Sequence, residues 1–375
     1  MLKNRIKINL LILLVILTSL LIGCSKKVDP KNLDFLGNET GKVPIEYANL
    51  FEITEYDSGY ALLTIDKIEQ TILIVPEDKE IPDKLPEELT VVKKPLKDIY
   101  VVSTGAMDFF VNSNSLDTVK FASLNAEDWY IDEAQTALEN GEIIYAGKYS
   151  MPDYELLRDK ECQLILENSM ITHTPEVLNE LKNLGFPVII ETASYEDEPL
   201  GRMEWIKLIG YLTGHEEEAN EAFNKQREKV LSIEQNQAEN KPTAIIFSIT
   251  SAGTVSVRKT DDYMVKMLQM AGADYGLTKV EEGSGSTTIQ QEAFYDEAIN
   301  ADYLIYNSSI EGEIDSIAAL EEKFPLIRKT KAYKEGHITC LKGNTYQSVM
   351  STGDLIFDLS RMLENEKDLE YLYWL

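Results

Sequence analysis

The sequence predicts an α/β protein made of two Rossmann-like lobes joined by one long backbone helix, with an extra β-hairpin region at the N-terminus of the first lobe. Three observations lead there. After Pro95, short apolar runs alternate with helical stretches, which is the layering pattern of α/β folds. That series gives way to a long, mostly polar helical stretch at about 215–237 and resumes past Lys241-Pro242. Ahead of both, two strand-like runs flank Asp57-Ser58-Gly59, a hairpin signal. A chain of 375 residues is also long enough for two domains of ordinary size.

The first element is a targeting segment. Lys3, Arg5 and Lys7 precede a stretch at 8–22 that is apolar except for Asn9, Thr18 and Ser19, the charge-then-apolar order of a signal peptide. It is shorter than the roughly 20 apolar residues a spanning helix needs. Leu21-Ile22-Gly23-Cys24 then matches the bacterial lipobox. The expected organisation is a signal peptide at 1–23, a lipidated flexible stalk at 24–41 beginning with acylated Cys24, an N-terminal α/β lobe at 42–200, linker helices at 201–240 and a C-terminal α/β lobe at 241–375. Two or more acyl chains give stable anchoring, so the expected location is extracytoplasmic, lipid-anchored to the outer face of the cytoplasmic membrane. The net charge is −28, and losing Lys3, Arg5 and Lys7 makes the mature chain more acidic still. Such a surface repels nucleic acid and anionic headgroups. The expected membrane contact is therefore the lipid alone, nucleic acid is excluded as a partner, and a monomer is expected.

Strands are expected at 51–56, 60–65 and 71–75, the last stopped by Pro76. In the first lobe they recur at 99–102, 119–122, 143–146, 162–166 and 188–190. Thr174-Pro175-Glu176 opens a helix with Val177, Leu178, Leu181 and Leu184 on one face, ending at Gly185. An amphipathic helix follows at 198–213, with Gly214 as its stop. The next helix carries Ala219, Ala222, Phe223, Val230 and Ile233 roughly on one face and is read as a rigid strut about 33 Å long between the lobes. The second lobe shows strands at 244–249, 255–257 and 303–306, a last strand at 337–341, and helices at 263–271 and 355–363. Cys162 and Cys340 lie in different halves and read as two buried free thiols, so a hydrophobic core holds the fold.

Three segments carry a family resemblance: the linker at 200–213 with the strut behind it; Met151-Pro152-Asp153-Tyr154-Glu155-Leu156-Leu157 before the strand at Cys162; and Ile289-Gln290-Gln291-Glu292-Ala293-Phe294-Tyr295 running into Ala301-Asp302-Tyr303-Leu304-Ile305-Tyr306. Together they resemble the helical-backbone periplasmic binding proteins of ABC importers, substrate-binding lipoproteins for iron-siderophore, haem or cobalamin. The resemblance spans most of 95–363. The strand from Cys162 departs from it, lacking the usual Pro-Asp-Leu run. What the resemblance implies is capture of a small-molecule iron complex, a ferric siderophore first, in the inter-lobe cleft. Delivery goes to an ABC permease dimer with a cytoplasmic ATPase. It also implies that Glu155 and Glu292, one on each lobe, dock on permease arginines. Haem or cobalamin in the same role stays open, as does a lipid-anchored enzyme or sensor using the same cleft.

The residues offer no catalytic motif: no P-loop, G-x-G-x-x-G, G-x-S-x-G or C-x-x-C can be read. His215-Glu216-Glu217-Glu218-Ala219 lacks a second histidine at zinc-protease spacing, and His173 and His337 are isolated. The expectation is therefore no enzyme, no intrinsic cofactor and no bare-metal site, with an iron complex as bound cargo. Ligand candidates lie at strand ends, where clefts of α/β lobes place their contacts. They are Ser103, Thr104, Trp129, Tyr130 and Tyr149 on the first lobe, and Arg258, Lys259, Tyr306, Asn344 and Tyr346 on the second. A guanidinium would answer negative charge on the complex, and aromatic rings would cover its organic rim.

Overall fold

The computed structural model describes residues 33–234 and 240–375. The signal peptide, Cys24, the first part of the stalk and the end of the strut at 235–237 lie outside the described residues.

Strands β1 (Glu39–Lys42), β2 (Phe51–Tyr56), β3 (Ala61–Ile65), β4 (Gln70–Val75) and β5 (Thr90–Lys93) form one sheet in that order. β1 to β4 meander antiparallel, and β5 returns parallel to β4. Both faces of this sheet are covered. Ile53, Leu63, Ile72 and Ile74 join the main core, while Leu62, Leu73 and Val75 meet Leu33 and Leu36 on the other side. This corrects the expected flexible stalk at its C-terminal end. Residues 33–41 contain the 3-10 turn Asp34–Leu36 and the start of β1, and Leu33 and Leu36 are buried because the sheet's outer face needs an apolar cover.

The first lobe holds β6 (Ile99–Val101), β7 (Val119–Ala122) and β8 (Ile144–Tyr145), then the small hairpin β9 (Gly147–Lys148) and β10 (Met151–Pro152), then β11 (Leu164–Asn168) and β12 (Val188–Glu191). Its sheet is wholly parallel in the order β12-β11-β6-β7-β8, so the strand order reverses between β6 and β11. β12 is its edge, and Gln70 caps it: the amide donates to Val188 O at 2.6 Å and accepts from Ile190 N at 3.1 Å. Edge groups that would otherwise invite another chain are thereby satisfied.

The linker is two helices, Pro199–Glu204 and Ile206–Thr213, interrupted at Trp205, and Gly214 ends the second in the left-handed region at φ 80°. The sequence suggests one amphipathic helix, but every residue of Ile206–Thr213 is buried, because the N-terminal sheet covers the side that would face water. Buried charge there is matched. Glu204 accepts backbone N–H groups of Glu46 (2.9 Å), Tyr47 (2.6 Å) and Ala48 (2.9 Å), and pairs with Lys207 at 2.7 Å. Glu196 accepts from Asn49 N, Leu50 N and the Trp205 indole at 3.0, 2.9 and 3.1 Å. Gly201 permits this approach, since a Cβ there would sit 2.9 Å from Tyr47 O.

The strut is the helix Glu216–Glu234, 19 residues and so about 28 Å long. It packs on the helix Thr104–Asn112 of the first lobe and on Tyr263–Ala271 and Thr352–Leu363 of the second. Ala219, Phe223 and Val230 are its buried stripe. Lys94 pairs with its Glu216 at 3.3 Å, Arg227 with Glu46 at 2.8 Å, and Lys229 with Asp354. One continuous core thus runs behind both lobes along the strut.

The second lobe comprises β13 (Thr243–Ile249), β14 (Val255–Arg258), β15 (Asp274–Tyr275), β16 (Ser286–Ile289), β17 (Tyr303–Tyr306), β18 (Ile338–Leu341) and β19 (Leu372–Trp374). Their order is β16-β14-β13-β17-β18-β19, with β15 also on β13. The strand at His337–Leu341 is therefore not the last: β19 closes the edge antiparallel to β18. Cys162 and Cys340 are free and buried. Among the described residues, no helix is long and apolar enough to cross a membrane.

Candidate functional site

In a parallel sheet, the chain diverges above and below the strand ends at the point where the order reverses, leaving a crevice. Here β6 delivers Ser103 and Thr104 to that crevice, β11 delivers Asn168, Ser169 and Met170, and β12 delivers Glu191, Ala193 and Ser194. The second lobe closes it with Tyr263, Thr345, Tyr346 and Thr352, and the linker contributes Arg202. The result is a cleft cavity of about 370 Å³ between the lobes.

Its charged centre is Arg202 with Glu191. Arg202 Nε donates to Glu196 O at 2.8 Å and Nη2 to Ser194 O at 2.5 Å, which fixes the guanidinium flat on the Tyr263 ring, 3.4 Å from its centroid. Burial pulls the guanidinium below its ordinary value. Glu191 accepts from Ser103 Oγ at 2.8 Å and from Ala193 N at 2.7 Å. Burial pushes its carboxyl up, against those two hydrogen bonds and the Arg202 charge.

The lobes also meet directly. Gln347, fully buried on the second lobe, accepts from Tyr130 N at 2.7 Å and donates to Asp128 O at 3.0 Å on the first. Asp108 of the first lobe accepts from Met350 N at 2.6 Å. Burial raises Asp108 to about 7, with the Met350 hydrogen bond opposing. Since an unfolded aspartate titrates near 3.9, the folded chain holds this proton over the interval between. Its contribution to stability is whole below about pH 4 and is lost as pH rises to about 7, at up to about 1.4 kcal/mol per pH unit. Glu167, which burial raises to about 8 against a backbone hydrogen bond from Asn168, acts in the same direction. The expected result is that Asp108→Asn flattens the fall in urea midpoint between pH 4 and 7; parallel profiles for variant and wild type would refute the assignment.

Of the ligand residues suggested by sequence, Ser103, Thr104 and Tyr346 line the cavity. Tyr130 stands exposed at its mouth, edge-on to Tyr346 with centroids 6.0 Å apart. Asn344 lies in the turn Gly343–Tyr346 beside the lining Thr345. The remaining five sit elsewhere. Trp129 is buried in the core, its indole donating to Leu124 O at 3.4 Å. Tyr149 packs on the outer cluster of the first lobe. Tyr306 is wholly buried, edge-on to Phe247 at 5.7 Å, because β17 is a central strand covered on both faces. Arg258 faces Asp262 at 3.9 Å and Lys259 pairs with Glu281 at 2.8 Å, both off the cavity lining. Glu155 and Glu292 are exposed in the first turns of the helices Tyr154–Asp159 and Gln291–Ala298. The His337 ring stacks on Tyr303 at 4.7 Å, and among the described residues no group of three His, Cys, Asp or Glu could hold a metal ion.

Sequence reasoning missed Arg202, Glu191, Tyr263 and Gln347. One signal was available: Arg202 is the single cation between Lys182 and Lys207, in a stretch with Glu196, Asp197, Glu198 and Glu204 around it.

A family model described as periplasmic binding protein matches residues 121–345, well over half of the chain. Over 388 residues the chain is 24% identical to the uncharacterized lipoprotein MJ0878 of Methanocaldococcus jannaschii, covering 95% of this chain and 92% of that one. Among solved structures, the petrobactin-binding protein YclQ of Bacillus subtilis superposes with TM-score 0.59 at 14% identity, over 73% of this chain and 94% of that one. The periplasmic haem-binding protein HutB of Vibrio cholerae does so with TM-score 0.57 at 11% identity, over 70% and 98%. The periplasmic catecholate-siderophore binding protein VctP of the same organism gives 0.56 at 17%, over 71% and 93%. At these identities the structural likeness speaks for the fold.

Proposed function

The chain belongs to the periplasmic binding protein family, and we propose that it is the extracytoplasmic substrate-binding lipoprotein of an ABC importer, capturing a small-molecule iron complex between its lobes. The observation that carries this reading is the 370 Å³ cavity between the strand ends of the first lobe and helix and turn residues of the second, with a pinned guanidinium in its wall. A ferric siderophore or haem is the cargo this reading favours, since proteins that bind them share the fold. The lining is that of a binding site: hydroxyls, one amide, aromatic rings and a single fixed cation. We assign the lipid anchor to Cys24, which would hold the folded body near a permease driven by a cytoplasmic ATPase.

Titration of the full chain with a ferric siderophore, haem and cobalamin tests the reading directly, and binding of none of them defeats it. Docking is tested separately. Glu155 and Glu292 are exposed and make no side-chain hydrogen bond or ion pair among the described residues, so their charges are available to rim contacts that set encounter and register. Reversal of both, Glu155→Lys with Glu292→Lys, is expected to abolish uptake while cargo affinity stays within about two-fold of wild type. Undiminished uptake by that double variant would remove the docking role.

A further inference from the structure

Gln347 joins three groups at once. Its amide oxygen accepts from Tyr130 N at 2.7 Å, and its amide nitrogen donates to Asp128 O at 3.0 Å and to the Tyr346 hydroxyl at 3.1 Å. A backbone N–H can only donate and a backbone carbonyl can only accept, so the two first-lobe groups fix which end of the amide is oxygen and which is nitrogen. Both amide protons are then committed, one to each lobe. The residue is wholly buried, so water offers neither proton an alternative partner.

The consequence falls on Tyr346, which lines the cleft cavity. A phenol carries one proton and can accept as well as donate. With its oxygen accepting from Gln347, its own proton is left for another acceptor, and none is present among the described residues. Accepting one hydrogen bond also strengthens the hydroxyl as donor of the next. The turn Gly343–Tyr346 that carries the ring is fastened to the second lobe, by Gly343 N on Glu313 Oε1 at 2.6 Å and Thr345 Oγ1 on Lys342 O at 3.2 Å. The first lobe meets it again through Tyr130, edge-on to Tyr346.

Resting on the proposed transport role, we infer that Gln347 is a positioning residue that ties lobe closure to recognition: while it bridges Asp128 and Tyr130, it holds Tyr346 as a hydrogen-bond donor toward an acceptor atom of the enclosed guest. When the lobes part, the amide loses both first-lobe partners and is free to turn over, and the Tyr346 proton is no longer committed to the cleft. The site is complete only in the closed chain, and a guest without an acceptor at that point gains nothing there from closure.

The test is a double-mutant cycle. A ferric trihydroxamate, haem and cobalamin are titrated by fluorescence quenching on the full chain in detergent, and the tightest binder serves as the probe. Tyr346→Phe removes only the hydroxyl and is expected to weaken that probe by about ten-fold. Gln347→Met keeps the size but makes no such hydrogen bonds, and is expected to cost about ten-fold as well. Adding Tyr346→Phe to it should then change affinity by less than about two-fold. If Gln347→Met does not fold, Gln347→Ala takes its place in the cycle with the same expectation, since it leaves room for water at Tyr130 N and Asp128 O. Equal costs of Tyr346→Phe in both backgrounds overturn the coupling and leave the transport reading standing, as does an affinity unchanged by Tyr346→Phe in the wild type. Failure of every probe with the wild type removes the transport reading and the coupling together. Amide hydrogen exchange on the cargo-free wild type needs no variant: the Tyr130 amide is expected to be protected, and exchange as fast as in an open loop overturns the bridge.

Discussion

Replacing Glu204 with alanine is expected to cost the fold about 4 kcal/mol, most of it from groups left buried without a partner. The carboxylate is fully buried and gathers the backbone N–H groups of Glu46, Tyr47 and Ala48, together with the Lys207 ammonium. Alanine strands three amide donors and leaves the buried Lys207 ammonium without its counter-charge, its remaining hydrogen bond being to the Pro44 carbonyl at 3.1 Å. Each unsatisfied amide costs about 1–3 kcal/mol and an unpaired buried charge more, moderated by whatever water enters the gap. Glu204→Gln should cost less, because its one remaining oxygen still accepts part of the set. Urea denaturation measures the loss, and amide hydrogen exchange at residues 46–50 locates it. A loss below about 1 kcal/mol for the alanine variant would show that these amides find other partners. The consequence reaches the cleft, because the helix carrying Glu204 also carries Arg202. The N-terminal sheet, which lies ahead of the family-matched segment, thus braces the element that positions the central cation.

The elements legible in the sequence are those whose local pattern and tertiary burial agree. The helix Tyr263–Ala271 and the strands Phe51–Tyr56 and Tyr303–Tyr306 coincide with their expected bounds, because continuous apolar or alternating runs there end at turn residues. Short or polar edge strands such as Glu39–Lys42, Thr90–Lys93 and Ser286–Ile289 were not legible, since pairing with a distant strand, not their own composition, makes them strands. Helix Ile206–Thr213 misleads for a related reason. Lys207 marks a polar side in isolation, but Glu204 and the sheet above it turn that side into interior.

The same division holds for the site. Ser103, Thr104 and Tyr346 were legible because a cleft residue follows directly from the end of a strand or from a turn beyond one. Tyr306 and Trp129 share the residue type expected of a cleft but face a core, and which way a ring points depends on the neighbouring layer. Arg202 comes from a helix that reads as packing material. Its place in the cleft emerges only when three elements converge: the carbonyls at 194 and 196, the Tyr263 ring and the β12 end.

That convergence makes Arg202→Ala the variant with the largest expected effect on binding. The guanidinium is held by two carbonyls and stacked on Tyr263, so it reaches the cleft with its orientation already fixed and little entropy left to lose. Nη1 has no hydrogen-bond partner among the described residues and remains for the guest. Removing it is expected to weaken the iron complex that the wild type binds by about a hundred-fold, roughly 3 kcal/mol, from one charge-assisted contact and a lost stacking platform. Arg202→Lys should recover little of this, because an ammonium cannot span both carbonyls while lying flat on the ring. Calorimetric titration of both variants, alongside melting curves to confirm that each is folded, gives the comparison. Retention of affinity within about three-fold by a folded Arg202→Ala would mean that the guest lies elsewhere. The hydroxyls of Ser103 and Thr104, which also line the cavity, would then be the place to look for it.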